Sequence, residues 1–591
     1  MKNAITTPTE PRDDAKPAAS GTERTLHVGP CGDDDATPVI REALDKCRRD
    51  GCRRLALAPC TYHFHPDLAR EEYLFISNND EGLKRLAFFL DGWDGLEVDG
   101  QGSLFVFHGF ILPFVLQRSA NITLRNLRVD WHRMFHSEAV VVGTGEGFVD
   151  LDIPGQFPFR IEHGRLVFTG EGTAIYEINN ALEFDVRGRE TAFKVWDNYG
   201  IGKRHRAEEL APGRVRFHAR FSEPTPQVGN VLALIDEGRH CPAITISKCR
   251  NILLENVTIH HAGGMGVIAQ LSHDVTLREC KVVPTSGRMV SLRADATHFV
   301  CCGGQILIED CEFSHQLDDP GNFHNVFTPI VRRVSDRSVM VRLQHFQQWG
   351  LEPYEVGHLV EFVQASSLLQ EDGGELTGVT ILNREHTLLE FGEPLPAHYG
   401  PGWAVGSLHW VADVTVRRTR VHSNRARGYL VTTGGAAVFE ENYFHSPGAA
   451  ILVEGDAESW YEAGAVSDLL VRNNVFDNCN YGVWGRATIE INPRIDPDKR
   501  AARRFHRNIR VEDNEFRTFH PNLLRAHCVD GLTFRGNTIR FTKDYPVENN
   551  GKGYSSTEHC SNVDILENDV VGARFAGRPG ARREFRKREC E

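Results

Sequence analysis

A short alternation of apolar and polar residues recurs along most of the chain. Each instance has aliphatic residues at every second position, followed by Asn, Cys or Thr at a fixed place. Alternation with a period of two is typical of strands that bury one face. The instances are residues 122–127, 252–257, 275–280, 306–311, 414–419, 438–442, 470–474, 509–514, 532–537 and 563–568.

The spacing of these segments predicts a coil. Asn256 precedes Cys280 by 24 residues, and Asn514 precedes Asn537 by 23 residues. A repeat of this length, with short strands and a polar residue at a fixed bend, is typical of a parallel β-helix. We expect the Asn side chains to form a hydrogen-bonded ladder at the bend rather than a binding site.

Residues 37–44 follow a helical period instead of a strand period. Thr37 is a candidate N-cap, and Pro38 occupies the first helical position. The predicted buried face consists of Val39, Ile40, Ala43 and Leu44. Because the end of a β-helix exposes unpaired strand edges, we expect this helix to cap the first coil.

Two long gaps interrupt the repeat, one between Asn126 and Asn256 and the other between Cys311 and Thr419. Both gaps contain short alternating segments that are separated by turns with glycine. This pattern is typical of small β-barrels or β-sandwiches. The fold class is therefore all-β, a parallel β-helix of the pectin-lyase type with two inserted β-domains.

The predicted boundaries divide the chain into seven segments. They are a disordered N-terminal segment (1–25), the first part of the β-helix with its capping helix (26–132), a first inserted β-domain (133–236), the coils that carry the candidate site (237–325), a second inserted β-domain (326–410), the rest of the β-helix (411–571) and a basic C-terminal tail (572–591).

Composition excludes several classes of function. A net charge of −13 argues against a nucleic-acid partner, which needs a broad basic surface. The most apolar stretch, residues 105–116, is too short to cross a membrane, and residues 1–25 lack the apolar core of a secretory signal. The 14 cysteines show no metal-binding spacing. We therefore predict no metal, no cofactor, no membrane partner and no export signal.

Three aspartates form the most informative group. Asp318 and Asp319 are adjacent, and Asp295 lies 23 residues before Asp318, which is about one coil. We expect the three carboxyl groups to stack on neighbouring coils. Acids that converge in this way repel one another and separate their pKa values, so that one site holds a proton donor and a proton acceptor near neutral pH.

Both adjacent aspartates have to face the same side of the coil for this chemistry. Successive strand residues face opposite sides, so a regular strand does not allow it. Pro320 and Gly321 follow the pair and predict a bend that redirects one side chain. We assign Asp318 as the general acid, with a pKa raised by its neighbours, and Asp295 with Asp319 as the base and water-positioning groups.

The two segments around these aspartates, residues 294–300 and 315–324, resemble the signature region of glycoside hydrolase family 110. The likeness covers most of the chain. Pro320 and Gly321 replace small residues of the family pattern, and Asn325 replaces a glycine. The resemblance implies exo-acting α-1,3-galactosidases on a right-handed β-helix with inserted β-barrels. It also implies an inverting mechanism without a metal, and kinship with polygalacturonases.

The rest of the sugar site is expected on the same face of neighbouring coils. Charged side chains hold sugar hydroxyl groups by directional hydrogen bonds, and an aromatic ring suits the apolar face of galactose. The candidates are Arg288, His298, His324, Arg425, Arg427, Glu454, Trp460 and Trp484.

The sequence thus predicts an exo-acting hydrolase of terminal α-1,3-linked galactose, on blood-group-B-type and linear glycans, with such glycans as its partners. A polygalacturonase-like pectin hydrolase is an alternative, because Arg425 and Arg427 are suited to bind a uronate carboxylate. A non-catalytic glycan-binding β-helix is the alternative from another class. A non-catalytic protein of this kind has no need for three acids on neighbouring coils.

Overall fold

The structure, a computed structural model, describes residues 24–171, 175–236, 238–548 and 553–571. These residues form the predicted all-β fold, a parallel β-helix with two inserted β-domains. Most of the predicted disordered segment (1–25) and the predicted basic tail (572–591) lie outside the described residues. Within the described ranges, no helix is long and apolar enough to cross a membrane.

The coils contribute strands to three parallel sheets, of which the second and third are joined by long strands that run through both. The first sheet carries the candidate site and contains Gly82–Asp91, Leu112–Gln117, Ile244–Ser247, Val267–Gln270, Thr297–Val300, the start of Gly321–Ser335, Tyr429–Thr432, Ile451–Val453, Ile489–Ile491, Leu524–His527 and Ser555–Glu558. At one end of this sheet, Arg70–Leu74 pairs with Gly82–Asp91 in the antiparallel direction.

The second and third sheets continue each coil around the core, and three long strands belong to both of them: Asp94–Phe107, Ala120–Trp131 and Arg250–Ile259. The other strands of the second sheet are Thr25–Val28, Arg54–Leu57, His273–Arg278, Gly303–Glu309, Ala412–Arg417, Ala436–Glu440, Asp468–Arg472, His506–Glu512, Val529–Arg535 and Ser561–Leu566. Those of the third sheet are Thr61–Phe64, Lys281–Val282, Glu312–Ser314, Arg420–His422, Tyr443–His445, Val475–Asp477, Glu515–Thr518, Thr538–Phe541 and Asp569–Val571.

The first inserted segment forms two antiparallel sheets around a core of its own. Seven strands make the larger sheet: His136–Gly145, Phe148–Asp152, Asn180–Asp185, Glu190–Thr191, Arg206–Ala211, Arg214–His218 and Val231–Ile235. Three strands make the smaller sheet: Phe159–Glu162, Arg165–Thr169 and Ile175–Glu177.

The second inserted segment forms a closed antiparallel barrel of six strands. They are the end of Gly321–Ser335, then Ser338–Arg342, Leu359–Gln364, Leu369–Ile381, His386–Phe391 and Trp403–Ser407. Gly321–Ser335 also pairs with the short strand Glu462–Ala463. The described part of the chain also contains three 3-10 helices, Ile201–Lys203, Phe346–Gln348 and Arg500–Ala502. The exact boundaries between these domains stay a prediction.

The predicted helix is present and runs over Thr37–Asp50. Its N-cap is Ala36, so the expectation for Thr37 is wrong: the backbone N–H of Thr37 is already held by Asp35 Oδ1 at 2.9 Å. Ile40, Ala43 and Leu44 pack into the main core as expected. Val39 is 40% exposed and is not part of the buried face.

The predicted Asn ladder is present on the later coils. Asn442, Asn474, Asn514 and Asn537 each donate a side-chain hydrogen bond of 2.9–3.0 Å to the Asn on the next coil, ending at Asn568. Asn126 and Asn256 are different: they occupy the left-handed position one residue earlier, at φ 55° and 51°. Their amides pair with each other on the outside of the coil instead.

Asn514→Ala tests how much the ladder contributes. The variant removes an oxygen that accepts from both the backbone and the side chain of Asn474, and leaves these buried donors without a partner. We expect a loss of about 3 kcal/mol in the free energy of unfolding, measured by urea denaturation. Thr533→Ala, on the outward side of a neighbouring strand, is the control and should change it by about 0.5 kcal/mol. Equal losses in both variants would contradict the ladder's role.

Candidate active site

The three aspartates come together at the start of the first-sheet strands. Thr297–Val300 pairs with Gly321–Ser335 with His298 opposite Asn322. This register places Asp295 beside Asp319, not beside Asp318 as the 23-residue interval predicts. All three carboxyl groups nevertheless have oxygen atoms within 4.8 Å of one another. The stack of coils therefore produces the predicted cluster, shifted by one residue.

The predicted bend after the pair is present, and it depends on Gly321. A Cβ atom at this residue would lie 2.6 Å from Cε1 of Tyr429 and 2.8 Å from Oγ1 of Thr297. Only glycine therefore allows the two coils to approach here. With this bend, both Asp318 and Asp319 reach the site, where arginines contact each of them.

The three carboxyl groups differ in protonation. Burial, together with the charge of Asp318, raises the pKa of Asp295 to about 8. Burial also raises the pKa of Asp319 to about 7, against the opposing effect of Arg427. Burial acts in the same direction on Asp318, but Arg425 and Arg239 outweigh it and lower its pKa. The expected raised pKa of Asp318 is therefore wrong, and its neighbours have the raised values instead.

Two arginines hold Asp318 in its charged form. Arg425 donates to Oδ1 at 2.8 Å, and Arg239 donates to Oδ2 at 3.0 Å. The same Arg425 guanidinium binds Asp197 through Nε and Nη2 at 2.8–3.0 Å, and it also contacts the hydroxyl group of Tyr199. Charge-assisted hydrogen bonds of this kind favour the ionised carboxylate.

Arg427 binds Asp319 along one edge. Its backbone N–H donates to Oδ1 at 2.9 Å, and its Nη2 donates to Oδ2 at 2.8 Å. Glu454, which follows Ile451–Val453 on the next coil, lies within the electrostatic reach of Arg427. Burial raises the pKa of Glu454 to about 7. Arg427 thus lies at the cluster, and Glu454 lies on the far side of Arg427, within its electrostatic reach.

Two histidines extend from Asp295 away from the other acids. His298 Nδ1 lies 2.7 Å from Asp295 Oδ2, and His298 Nε2 lies 2.9 Å from His324 Nε2. His324 Nδ1 donates to the carbonyl oxygen of Asn325 at 2.8 Å, because that oxygen only accepts. Asn78 Nδ2 lies 2.7 Å from His298 Nε2. Burial lowers the pKa of His298 to about 4, so its ring is neutral.

These contacts accommodate a proton on Asp295 or its loss. When Asp295 is ionised, His298 donates to it from Nδ1 and accepts the Asn78 amide at Nε2. When Asp295 is protonated, it donates to Nδ1, and His298 donates from Nε2 to His324. Each tautomer of His298 therefore suits one state of Asp295, and in each state one of the two neighbours of Nε2, His324 Nε2 or the Asn78 amide, lacks a matching partner there.

An aromatic group lies beside the same face. Trp460 is 54% exposed, and its ring centroid lies 4.7 Å from that of His345, which belongs to the second inserted segment. Two residues later, Glu462 accepts a hydrogen bond from Asn322 at 3.1 Å and lies 3.9 Å from His324 Nε2. Trp460 thus lies two residues before a side chain of the site, half exposed and packed on His345.

Trp484 and Arg288 are placed differently from each other. Trp484 donates to Asp197 at 3.1 Å and lies under the Arg425 guanidinium, so it supports the cluster. Arg288 forms its ion pair with Asp130 at 2.6 Å and is not among the described contacts of the three aspartates. The segment after Arg288 is held by Glu138 of the first inserted segment.

Sequence reasoning missed five residues that contact the cluster or its partners: Asn78, Asp197, Tyr199, Arg239 and Glu462. Asp197 is 228 residues from Arg425 in the sequence, and Asn78 is 220 residues from His298. Pairs at such separations leave no periodic signal. The spacing of one coil was the only signal available, and it applies only within the β-helix.

The three carboxyl groups also have the spacing of an oxygen-ligand cation site. Asp318 and Asp319 already bind three guanidinium groups between them. An arginine and a divalent cation compete for the same carboxylate oxygens. The arrangement therefore fits proton-transfer chemistry better than binding of a cation.

Three family models match the chain. GLAA-B beta-barrel domain I matches residues 137–232, and GLAA-B beta-barrel domain II matches residues 338–405. The right handed beta helix region matches residues 406–578. The first two matches coincide with the segments that interrupt the coil, and the third agrees with the expected handedness.

Curated relatives match over almost the whole chain. The alpha-1,3-galactosidase A of Shewanella woodyi is 36% identical over 92% of this chain and 89% of the relative. The alpha-1,3-galactosidase B of Bacteroides thetaiotaomicron is 32% identical over 91% of this chain and 89% of the relative. A further alpha-1,3-galactosidase B, from Akkermansia muciniphila, is 31% identical over 91% of this chain and 68% of the relative.

Solved structures resemble the chain at much lower sequence identity. An exopolygalacturonase from Thermotoga maritima has a TM-score of 0.37 and 11% identity, and the match covers 93% of each chain. A mannuronan C-5 epimerase A-module from Azotobacter vinelandii has a TM-score of 0.35 and 10% identity, over 92% of this chain and 95% of that chain.

Asp295→Asn tests the protonation of the cluster. Asp295 has its pKa raised from 3.8 to about 8, so folding favours its protonated form. Its contribution is fully present below pH 3.8 and is lost as the pH rises toward 8. The variant, which cannot ionise, should therefore be more stable than the wild type at pH 8 by at least about 1 kcal/mol, and nearly equal at pH 4. Thermal unfolding at both pH values measures this.

Asp310→Asn is the matched control for this experiment. Arg418 lowers the pKa of Asp310, which is the opposite direction. The control should therefore gain no stability at pH 8. If Asp295→Asn and Asp310→Asn respond alike to pH, the raised pKa of Asp295 is contradicted.

Proposed function

We propose that this chain, which belongs to the family of the alpha-1,3-galactosidases, is a glycoside hydrolase that removes terminal α-1,3-linked galactose from glycans. In the classification of such enzymes we assign it to glycoside hydrolase family 110. The observation that carries the proposal is the cluster of Asp295, Asp318 and Asp319, buried, within 4.8 Å, and differing in the direction of their pKa shifts.

Hydrolysis of a glycosidic bond needs an acid for the leaving oxygen and a base for the attacking water. Asp318 has the most exposed side chain of the three, at 15%, against 6% for Asp295 and 3% for Asp319. We therefore assign Asp318 to the contact with the glycosidic oxygen. Its two arginines keep it ionised in the free protein, so it has to receive a proton before it acts as an acid.

Asp295 is the source of that proton. It holds a proton with a pKa of about 8, and its carboxyl oxygen lies within 4.8 Å of Asp318. Transfer of one proton from Asp295 to Asp318 creates the acid and the base in a single step. In the tautomer that carries its proton on Nδ1, His298 donates to the ionised Asp295 while this carboxylate activates water. Asp319, fixed by Arg427, positions that water.

Both inserted segments supply side chains at opposite edges of this face. Asp197 and Tyr199 come from the first segment and fix Arg425. His345 comes from the second segment and packs on Trp460. We propose that these edges close the cleft into a pocket that accepts one terminal galactose, with the Trp460 ring against its apolar face. Because such a pocket would admit only the end of a glycan chain, it would restrict cleavage to the terminal sugar.

The polygalacturonase-like alternative is disfavoured by the arginines. A uronate substrate needs a cation that is free to bind its carboxylate. Arg425 is already paired with Asp197 and Asp318, and Arg427 with Asp319. Both guanidinium groups therefore already have carboxyl partners in the described structure. A neutral sugar is the better fit.

Inversion of configuration is the stereochemical outcome that we propose, on the basis of the family resemblance. The carboxyl spacing points the other way: inverting acid and base groups are usually ~6.5–9.5 Å apart, and retaining pairs ~5–5.5 Å. The nearest oxygens here lie within 4.8 Å. A retaining mechanism with an aspartate nucleophile is therefore the second candidate.

The first test is release of galactose from an α-1,3-linked disaccharide and from a blood-group-B-type trisaccharide, without added metal. We expect activity on both substrates, none on polygalacturonate, and the same initial rate with a chelator. Proton NMR of the first product should show β-galactose. The α anomer would replace the inverting proposal by the retaining one. Binding without turnover would contradict the enzyme proposal and favour a glycan-binding protein.

The second test separates the roles of the aspartates. Asp318→Asn should lose at least about 10²-fold in kcat on the disaccharide but retain turnover on a dinitrophenyl galactoside, whose acidic leaving group needs little protonation. Asp295→Asn should lose activity on both the disaccharide and the aryl galactoside, because a more acidic leaving group does not remove the need for a base that activates water. Asp274→Asn, an exposed acid on the second sheet, is the control. If Asp295→Asn is the variant that keeps the aryl substrate, the two roles are reversed.

A further inference from the structure

Three histidines stack on consecutive coils near the N-terminal end of the β-helix. They lie more than 150 residues before the three aspartates in the sequence. The register pairs Phe64 with Phe107 and Phe107 with Trp131, so the next residues, His65, His108 and His132, lie above one another. The ring centroids of His65 and His108 are 4.1 Å apart, and those of His108 and His132 are 5.1 Å apart. His108 and His132 are separated by 24 residues, the length of one coil.

A carboxylate from the first inserted segment joins this column. Glu171 Oε1 lies 2.7 Å from His108 Nδ1 and 3.7 Å from His132 Nε2. Donor atoms of His108, His132 and Glu171 all lie within 4.8 Å of one another. Two imidazole nitrogens and one carboxylate oxygen are a ligand set typical of zinc.

Two of the remaining polar atoms of this group, His108 Nε2 and Glu171 Oε2, have hydrogen-bond partners. His108 Nε2 lies 3.0 Å from His63 Nδ1, and the backbone N–H of Gly109 donates to Glu171 Oε2 at 3.2 Å. Partners of this kind fix the orientation of a ligating ring and carboxylate. They leave His108 Nδ1 and Glu171 Oε1 facing each other at 2.7 Å, so that an ion would replace the hydrogen bond between them.

We propose that His108, His132 and Glu171 bind a zinc-class divalent ion between the β-helix and the first inserted segment. Bond lengths of ~2.0–2.2 Å in a tetrahedral arrangement place donor atoms about 3.4 Å apart. The measured separations of 2.7 and 3.7 Å lie on either side of this value. The fourth position faces solvent, since the His132 side chain is 63% exposed.

The ion would act on stability rather than on catalysis. His108 and His132 belong to the coil, whereas Glu171 lies between two strands of the first inserted segment. One ion bound by all three ties that segment to the coil. None of the three is among the described contacts of Asp295, Asp318 or Asp319, so the site is independent of the proposed function.

The test uses the full chain without an affinity tag. Equilibrium dialysis against micromolar zinc, followed by metal analysis, should give one equivalent for the wild type. Thermal unfolding should shift upward with zinc, because the ion binds only the folded chain. Calcium should produce neither effect, since imidazole ligands do not suit it. A chelator should lower the Tm and leave the initial rate of galactose release unchanged.

His132→Ala and Glu171→Gln should each weaken zinc binding at least tenfold and abolish the Tm shift. His132 is exposed and Glu171→Gln keeps the side-chain shape, so both variants are expected to fold. His218→Ala is the matched control: His218 lies 3.0 Å from Glu208 in the same inserted segment, where no third ligand is described. Its zinc binding should equal that of the wild type. No zinc in the wild type, or equal binding in His132→Ala, would overturn the proposal.

Discussion

The stacking of one coil on the next places equivalent residues close together along the whole molecule. Neighbouring parallel strands lie about 4.8 Å apart. For aromatic rings and amides this repetition is favourable, as in the stack of Phe299 on Phe323 at 5.2 Å and in the Asn ladder. For carboxyl groups it is costly, because like charges are brought together where water is excluded. The three aspartates are therefore a departure from the rule that otherwise stabilises the coil.

The charged groups that offset this repulsion at Asp318 come from segments outside the two coils that carry the aspartates. Arg239 follows the first inserted segment, Arg425 follows the second, and Asp197 lies within the first. Arg425 binds Asp197 and Asp318 together, so an inserted β-domain helps to set the charge of an aspartate on the coil. The inserted segments are in this sense part of the cluster, and a bare coil would leave Asp318 with less stabilisation of its charge.

The sequence repeat predicted the features that recur from coil to coil. It did not predict the contacts made by the segments that interrupt the coil. The strand alternation and the 23–24-residue spacing were sufficient for the fold class, the Asn ladder and the meeting of the three aspartates. The predicted alignment of the two coils was wrong by one residue, because Asp319, and not Asp318, lies opposite Asp295. The pKa direction of Asp318 was wrong because Arg239 and Arg425 reach it from distant segments. Such partners depend on how inserted domains dock, and sequence spacing has no information about that.

The three aspartates have different hydrogen-bond partners. This difference explains why one carboxyl group of the cluster keeps a proton while another is ionised. Asp318 receives two guanidinium groups and stays ionised, whereas Asp295 has a neutral histidine as its partner and keeps its proton. A neutral His298 is able to accept from a protonated Asp295 or to donate to an ionised one, so Asp295 keeps a hydrogen-bond partner when it releases that proton. A guanidinium in the place of His298 would fix Asp295 as a carboxylate and remove the proton store. The histidine is therefore the residue that keeps the cluster reversible.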